Sequence, residues 1–445
     1  MFAKVSKLGV GAVARAAVAV SLVAAGGMAI MPGVAMAKES APKAGAYSKE
    51  FIAAAAPIQK TVNAVIAAKG KNAPESEIAP LLANAVAEMT AAEAAIKTPA
   101  DRAAAGQWAI NLGGWIKDIP MRQRGVQNML DSGQVPAERL LEYKSYLGQF
   151  AYNNKDYATA VTALTDVVKG NYKDDGMAEV LAQSLTNLGK PAEALDALKM
   201  AVDARKAAGG VVPSDWYSRA TLIAYKAKLG PQAVDWAIGL AELQPTGLNW
   251  LNAGQFVRDY GTFTNNESLD LGRLFLRSGA LKEDVKFTSR EFVEYIQAAD
   301  PRRLPGEVVK IAQLGLAQKA LESNDRFVTD ALSQAQGRIA ADKASLASYE
   351  RDARLPSATA ATVSGAGDVF LSYDEPAKAA EFYQAALAKP GVDADRVLTR
   401  LGIAQFDMGQ FAEAQATFAK VQGPARKNLA RLWGAYAGFR GQPAR

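Results

Sequence analysis

The side chains that could carry out chemistry in this sequence are few, and the missing types narrow the options first. The 445 residues contain no histidine and no cysteine. Imidazole acid–base steps, Ser-His-Asp triads, thiolate nucleophiles, disulfides and Cys/His zinc sites are therefore excluded. The remaining hydrolytic route is a pair of carboxylates flanking a scissile bond, as in glycoside hydrolysis. Acidic pairs do occur, at Asp174-Asp175 and at Glu291 with Glu294, but both read as solvated helix ends and faces. No Gly-x-Gly-x-x-Gly follows a strand, and no Gly-x-x-x-x-Gly-Lys-Ser/Thr phosphate loop is present. No oxygen-rich loop has calcium-site spacing either. The sequence thus assigns no catalytic residue, no metal ligand and no cofactor, and the chain reads as non-enzymatic.

The elements around these residues are helical. Alanine alone supplies 90 residues, and aromatics make up 8%. That balance suits closely packed helices and not a sheet. The six tryptophans, Trp108, Trp115, Trp216, Trp236, Trp250 and Trp433, all fall on amphipathic stretches and are expected in packing interfaces.

The N-terminus has the layout of an export signal. Lys4, Lys7 and Arg15 precede an apolar run from Ala16 to Met31. Pro32-Gly33 breaks the run, and Ala35-Met36-Ala37 supplies a small-x-small cleavage pattern. Cleavage after Ala37 would leave a chain beginning at Lys38, located in the periplasm or otherwise exported, with no later stretch that could span a bilayer. It would also lower the formal charge from +6 to +3. No basic stripe is visible, so nucleic acid is not an expected partner.

Self-similarity organises the rest. Leu147-Gly148, Tyr157, Ala160, Leu164 and Val167 are matched 34 residues later by Leu181-Ala182, Pro191, Ala194, Leu198 and Ala201. Ala366-Gly367, Pro376, Ala379, Tyr383 and Ala386 are matched 35 residues later by Leu401-Gly402, Phe411, Ala414, Phe418 and Val421. Each unit reads as two amphipathic helices around a short turn. Small residues at the Gly148 and Ala160 positions let the two helices approach. One hairpin cannot bury its apolar face alone, so the units must stack.

This spacing resembles the tetratricopeptide repeat family, in an exported bacterial form. Leu401-Gly402, Gly409, Phe411, Ala414, Phe418 and Pro424 carry the resemblance best. It is specific over about residues 140–210 and 360–425. The expected architecture is all-α: a superhelical array of antiparallel helix hairpins, an α-solenoid, behind a helical N-terminal section. The sections expected are a signal peptide (1–37), a helical N-terminal section (38–135), repeats (136–245), divergent helical repeats (246–357) and repeats again (358–440). Within the N-terminal section, helices are expected over 47–68 and 75–96. A third starts at Thr98-Pro99 and ends at Ile119-Pro120. Between Gly315 and Ala331 the repeat frame needs an extra turn or a longer loop.

The resemblance implies protein binding. In the family's frame the first helix of each hairpin forms the concave wall. Gln149 and Asn153 then lie one turn apart on one such helix, and Gln183 and Asn187 hold the same positions on the next. The following unit offers Tyr225 and Lys226, and Tyr152 adds a flat contact surface. Side-chain amides donate and accept, which suits an extended peptide backbone. Ser145 and Glu179 stand where the family's clamp for a C-terminal carboxylate would need basic residues. The function expected is an exported scaffold or adaptor that binds a protein or peptide segment in the cell envelope. The alternative is a peptidoglycan- or carbohydrate-acting protein using paired carboxylates. Periplasmic lytic transglycosylases pair a helical superhelix with a catalytic Glu-Ser and a Gly-Leu-Met-Gln element. Here Glu75-Ser76, Glu267-Ser268 and Glu322-Ser323 lack that element.

Overall fold

The computed structural model describes residues 47–172 and 176–442. The export signal, the leader up to Ala46 and the acidic pair Asp174-Asp175 lie outside the described residues. Among those described there are 22 α-helices, two short 3-10 turns and no strand. The chain divides into two compact units that meet at 223/224.

The first unit holds α1 (Lys49–Gly70), α2 (Glu75–Leu81), α3 (Ala85–Ala94), α4 (Pro99–Trp115), α5 (Ile119–Asp131), α6 (Leu140–Asn153), α7 (Tyr157–Lys169), α8 (Gly176–Asn187), α9 (Pro191–Ala207) and the start of α10 (Ser214–Lys226). Ser48 caps α1 and Thr98 caps α4 in a reciprocal capping box with Asp101. The fully buried Asp101 carboxylate also accepts from the Ser48 backbone N–H at 3.0 Å and the Ser48 hydroxyl at 2.8 Å. One acid therefore pins the starts of two helices together.

Two expectations fail here. The helix expected over 75–96 is broken into α2 and α3: α2 runs through Pro80 and ends in tight turns, Leu82 N–H donating to the Ala79 carbonyl and Ala83 N–H to the Pro80 carbonyl, before α3 starts at Ala85. Ile119-Pro120 does not end a helix. It opens α5, with Asp118 as N-cap and the proline in the first turn, where no N–H is needed. Helices α4 and α5 cross backbone to backbone: a Cβ on Gly106 would lie 2.8 Å from the Gly125 carbonyl, and the reverse distance is also 2.8 Å.

The repeat frame is realised as hairpins. In α6/α7 a side chain on Gly148 would run into Leu164. The turns that follow the first helices contain left-handed residues: Lys155 (φ 62°) and, one period on, Gly189 (φ 74°).

The second unit holds the end of α10 and α11 (Gly230–Leu243), α12 (Gly247–Asp259), α13 (Asn265–Ser278), α14 (Val285–Ala299), α15 (Pro305–Ala317), α16 (Arg326–Ala344), α17 (Leu346–Ala353), α18 (Ala360–Ser372), α19 (Pro376–Leu387), α20 (Ala394–Asp407), α21 (Phe411–Phe418) and α22 (Lys427–Arg440). The hairpins α18/α19 and α20/α21 repeat the same contact. A Cβ on Gly367 would lie 2.7 Å from Tyr383, and one on Gly402 would lie 2.5 Å from Phe418. The irregularity after Gly315 is a loop over 318–325 before α16.

This unit closes on itself. Its last helix, α22, packs on α11, α12 and α13. Trp250 and Tyr436 meet edge to face at 5.2 Å, and both are buried. Trp216, Trp250 and Trp433 are core residues; Trp108 and Trp115 are half-buried against the cluster of α1, α3 and α4.

Candidate peptide-binding wall

The amide residues lie on α6 and α8, which pack side by side. The opposite faces of these helices carry Leu147 and Phe150, and Leu181 and Leu185, into the interior. That burial fixes which face each helix turns outward.

Within each helix the two amides bond across one turn. Gln149 Nε2 donates to Asn153 Oδ1 at 3.2 Å, and Gln183 Nε2 donates to Asn187 Oδ1 at 3.0 Å. Asn153 and Asn187 are exposed, and both glutamines are half-buried. Ser145 is buried, so it presents nothing to a ligand.

Arg219 on α10 is the residue that sequence reasoning missed. Its Nε donates to Glu179 Oε2 at 2.8 Å, and its Nη1 donates to Gln183 Oε1 at 3.2 Å. Burial and the neighbouring Tyr157 raise the Tyr152 phenol, and Arg219 pulls it back. One guanidinium thus gathers Glu179 and Gln183 of α8. The only sequence signal was a basic residue on the third wall helix; its reach depends on how the hairpins stagger, which spacing does not encode. Glu179 is neutralised by this pairing, and the wall is close to uncharged here.

Tyr152 packs on Tyr157 with ring centres 5.8 Å apart. Tyr225 and Lys226 are exposed but fall at the start of the second unit, where Tyr225 meets Phe256 edge to face at 5.8 Å. The expected acidic pair Glu291 and Glu294 converges on a single nitrogen: Arg258 Nη1 donates to Glu291 at 2.6 Å and to Glu294 at 2.8 Å. Burial raises Glu291 despite Arg258. A guanidinium therefore occupies the space between these carboxylates.

Fold and hairpin contacts together define the class: among the described residues each unit is all-α and contains stacked antiparallel helix hairpins of a tetratricopeptide-like kind. Residues 134–201 match the model of the family described as anaphase-promoting complex, cyclosome, subunit 3. No curated protein sequence matches the chain. Among solved structures, a tetratricopeptide repeat protein from Parabacteroides merdae is 12% identical, covering 68% of this chain and 99% of its own, with a TM-score of 0.25. The TPR2AB domain of yeast Sti1, solved with pHSP90, is 12% identical over 68% of this chain and 100% of its own, at 0.23. The P58(IPK) TPR domain is 13% identical over 81% of this chain and 96% of its own, at 0.22.

Proposed function

We propose that this protein is a non-enzymatic scaffold that holds an extended segment of a partner protein along α6 and α8. Stacked helix hairpins of this class present extended concave binding surfaces. The observation that carries the reading is the repeated amide pair, Gln149–Asn153 and Gln183–Asn187, on consecutive wall helices. With each asparagine oxygen engaged by its glutamine, the asparagine amides offer N–H donors to a partner's carbonyls. A peptide backbone needs such groups at regular intervals and needs no charge. Arg219 holds the second pair in place and is itself matched by Glu179. The partner is therefore read along its backbone and not through a terminal carboxylate.

The basic start, apolar run and Ala35-Met36-Ala37 of the sequence support export and action in the bacterial envelope, with the working chain beginning at Lys38. The test is cross-linking capture from a periplasmic fraction with the chain from Lys38 as bait, read by mass spectrometry. A small set of reproducible protein partners is expected. Glycan fragments retained without any protein would overturn the scaffold reading.

A further inference from the structure

In the unit of residues 224–442, one face of α13 is covered by the protein's own later helices. Asn266, Asp270, Arg273 and Arg277 stand at i, i+4, i+7 and i+11 of α13 and form one stripe along it. Helices α20 and α22, far along the chain, meet Asn266, Asp270 and Arg277, and α15, one repeat period on, meets Arg273. Arg400 of α20 donates to Asn266 Oδ1 at 3.2 Å and to Asp270 Oδ1 at 3.1 Å. Arg426, at the start of α22, donates to Asp270 Oδ2 at 2.8 Å and pairs with Glu267 at 2.9 Å. Glu307 of α15 takes Arg273 with both oxygens, at 2.9 and 2.8 Å. Asp407 of α20 takes Arg277 with both oxygens, at 2.6 and 2.5 Å.

The backbone of the stripe is engaged as well. Trp433 Nε1 donates to the Asp270 carbonyl at 3.0 Å, and the Tyr436 hydroxyl donates to the Arg277 carbonyl at 2.6 Å. The Arg400 and Asp407 contacts each span 130 residues of chain, and Arg426–Asp270 spans 156. The other side of α13 is an ordinary hairpin face, with Phe275 closing on Gly254 of α12 and Tyr295 of α14 closing on Gly272.

We infer that α15, α20 and α22 form a helix-binding groove whose ligand is α13, held in cis. The groove reads a carboxylate, a guanidinium one turn on, and a second guanidinium one turn further. Buried ion pairs add little net stability, but they fix register. Sliding α13 by one turn would bring Arg273 against Arg400 and Arg426, so only one alignment is permitted. The C-terminal helices thus latch shut on a charge code, and an opened latch would accept a second helix bearing the same code.

Arg277 and Asp407 lie at the rim, with side chains 18% and 21% exposed, and this is the pair to reverse. The full chain is made as R277D, as D407R and as the double reversal. Hydrogen exchange is followed over residues 394–440, with 99–169 as internal control. Each single reversal is expected to speed exchange in α20 and α22 at least tenfold with the control unchanged, and the double reversal to restore it. A fluorescent peptide of residues 262–279 is then added. It should bind R277D, whose groove is intact and whose own helix is miscoded, and bind neither wild type nor D407R. Should R277D fail to fold, R277Q takes its place in the same measurements. Wild-type exchange in the single variants, no recovery in the double reversal, or an opened variant that takes up no peptide would each overturn the inference.

Discussion

Arg219 and Gln183 lie 36 residues apart in sequence, and the arginine's Nη1 donates to the glutamine's Oε1 at 3.2 Å while its other nitrogens hold Glu179. The bond ties α10 to α8 through the row of groups assigned to partner binding. Its strength follows from partial burial, with side chains 14% and 20% exposed at the Arg219–Glu179 pair. R219A should lower the unfolding free energy by about 1.5–3 kcal/mol, the range for hydrogen bonds to charged groups. Urea denaturation checks this; an unchanged midpoint would remove Arg219 from the account of the wall.

The hairpin contacts predict a sharp contrast between glycines. A Cβ on Gly402 would sit 2.5 Å from the Phe418 ring, whereas one on Gly365 meets nothing within 4 Å. Gly402→Ala should therefore cost about 1–3 kcal/mol through overpacking. Gly365→Ala, in the same kind of helix, should gain about 0.5–1 kcal/mol from reduced backbone entropy of the unfolded chain. Thermal melts of the two variants should move in opposite directions.

Asp101 should matter beyond its own helix. Its carboxylate accepts from Ser48, Lys97 and Thr98, and although burial pushes it up, those donors bring it below the ordinary aspartate value. D101A leaves the start of α1 without its anchor. The expected loss is about 1–3 kcal/mol, with hydrogen exchange rising across residues 49–70 and staying unchanged in α6 and α7. Uniform exchange across both segments would contradict a local anchoring role.

Much of this architecture is legible in the sequence, and what is missed has a common cause. Leu147-Gly148 against Leu164, and Gly402 against Phe418, announce the hairpins because each contact lies within one repeat. Thr98 is legible as a helix start because caps are local. The break between α2 and α3 is missed because the apolar spacing runs on past Pro80. The closure of residues 224–442 is missed because Asp270 and Arg400 are 130 residues apart, and a repeat period reports only on neighbouring units. Arg219 belongs to the same class of miss. The amide pairs were visible by their spacing, but their internal hydrogen bonds depend on rotamers.

Acid should loosen the second unit in a defined window. Burial pushes Asp270 and Glu307 up. For Asp270 the guanidiniums of Arg400, Arg426 and Arg273 outweigh burial. For Glu307 it is outweighed by Arg273 together with hydrogen bonds from Arg273 and Tyr295, so both carboxyls titrate below their ordinary values. Groups depressed in the folded state contribute stability above their unfolded pKa, about 4, and lose it as pH falls through the folded value. Glu291, raised mainly by burial, works the other way: its contribution is present below its ordinary value and lost as pH rises through the raised one. The melting temperature should fall as pH drops below about 4. D270N should melt lower at neutral pH, by about 3–5 kcal/mol of lost stability, and show a shallower acid dependence. A D270N profile parallel to wild type would show that Asp270 is not a source of the acid sensitivity.

The central claim is that the amide wall holds a partner, and the most direct measurement compares capture by wild type and by the Asn153→Ala/Asn187→Ala double variant. Both asparagines are exposed, so the two proteins should melt at the same temperature. The double variant should retain at least tenfold less of the partner protein than wild type under identical conditions. Equal capture by two equally folded proteins would contradict it and place the binding surface elsewhere on the chain.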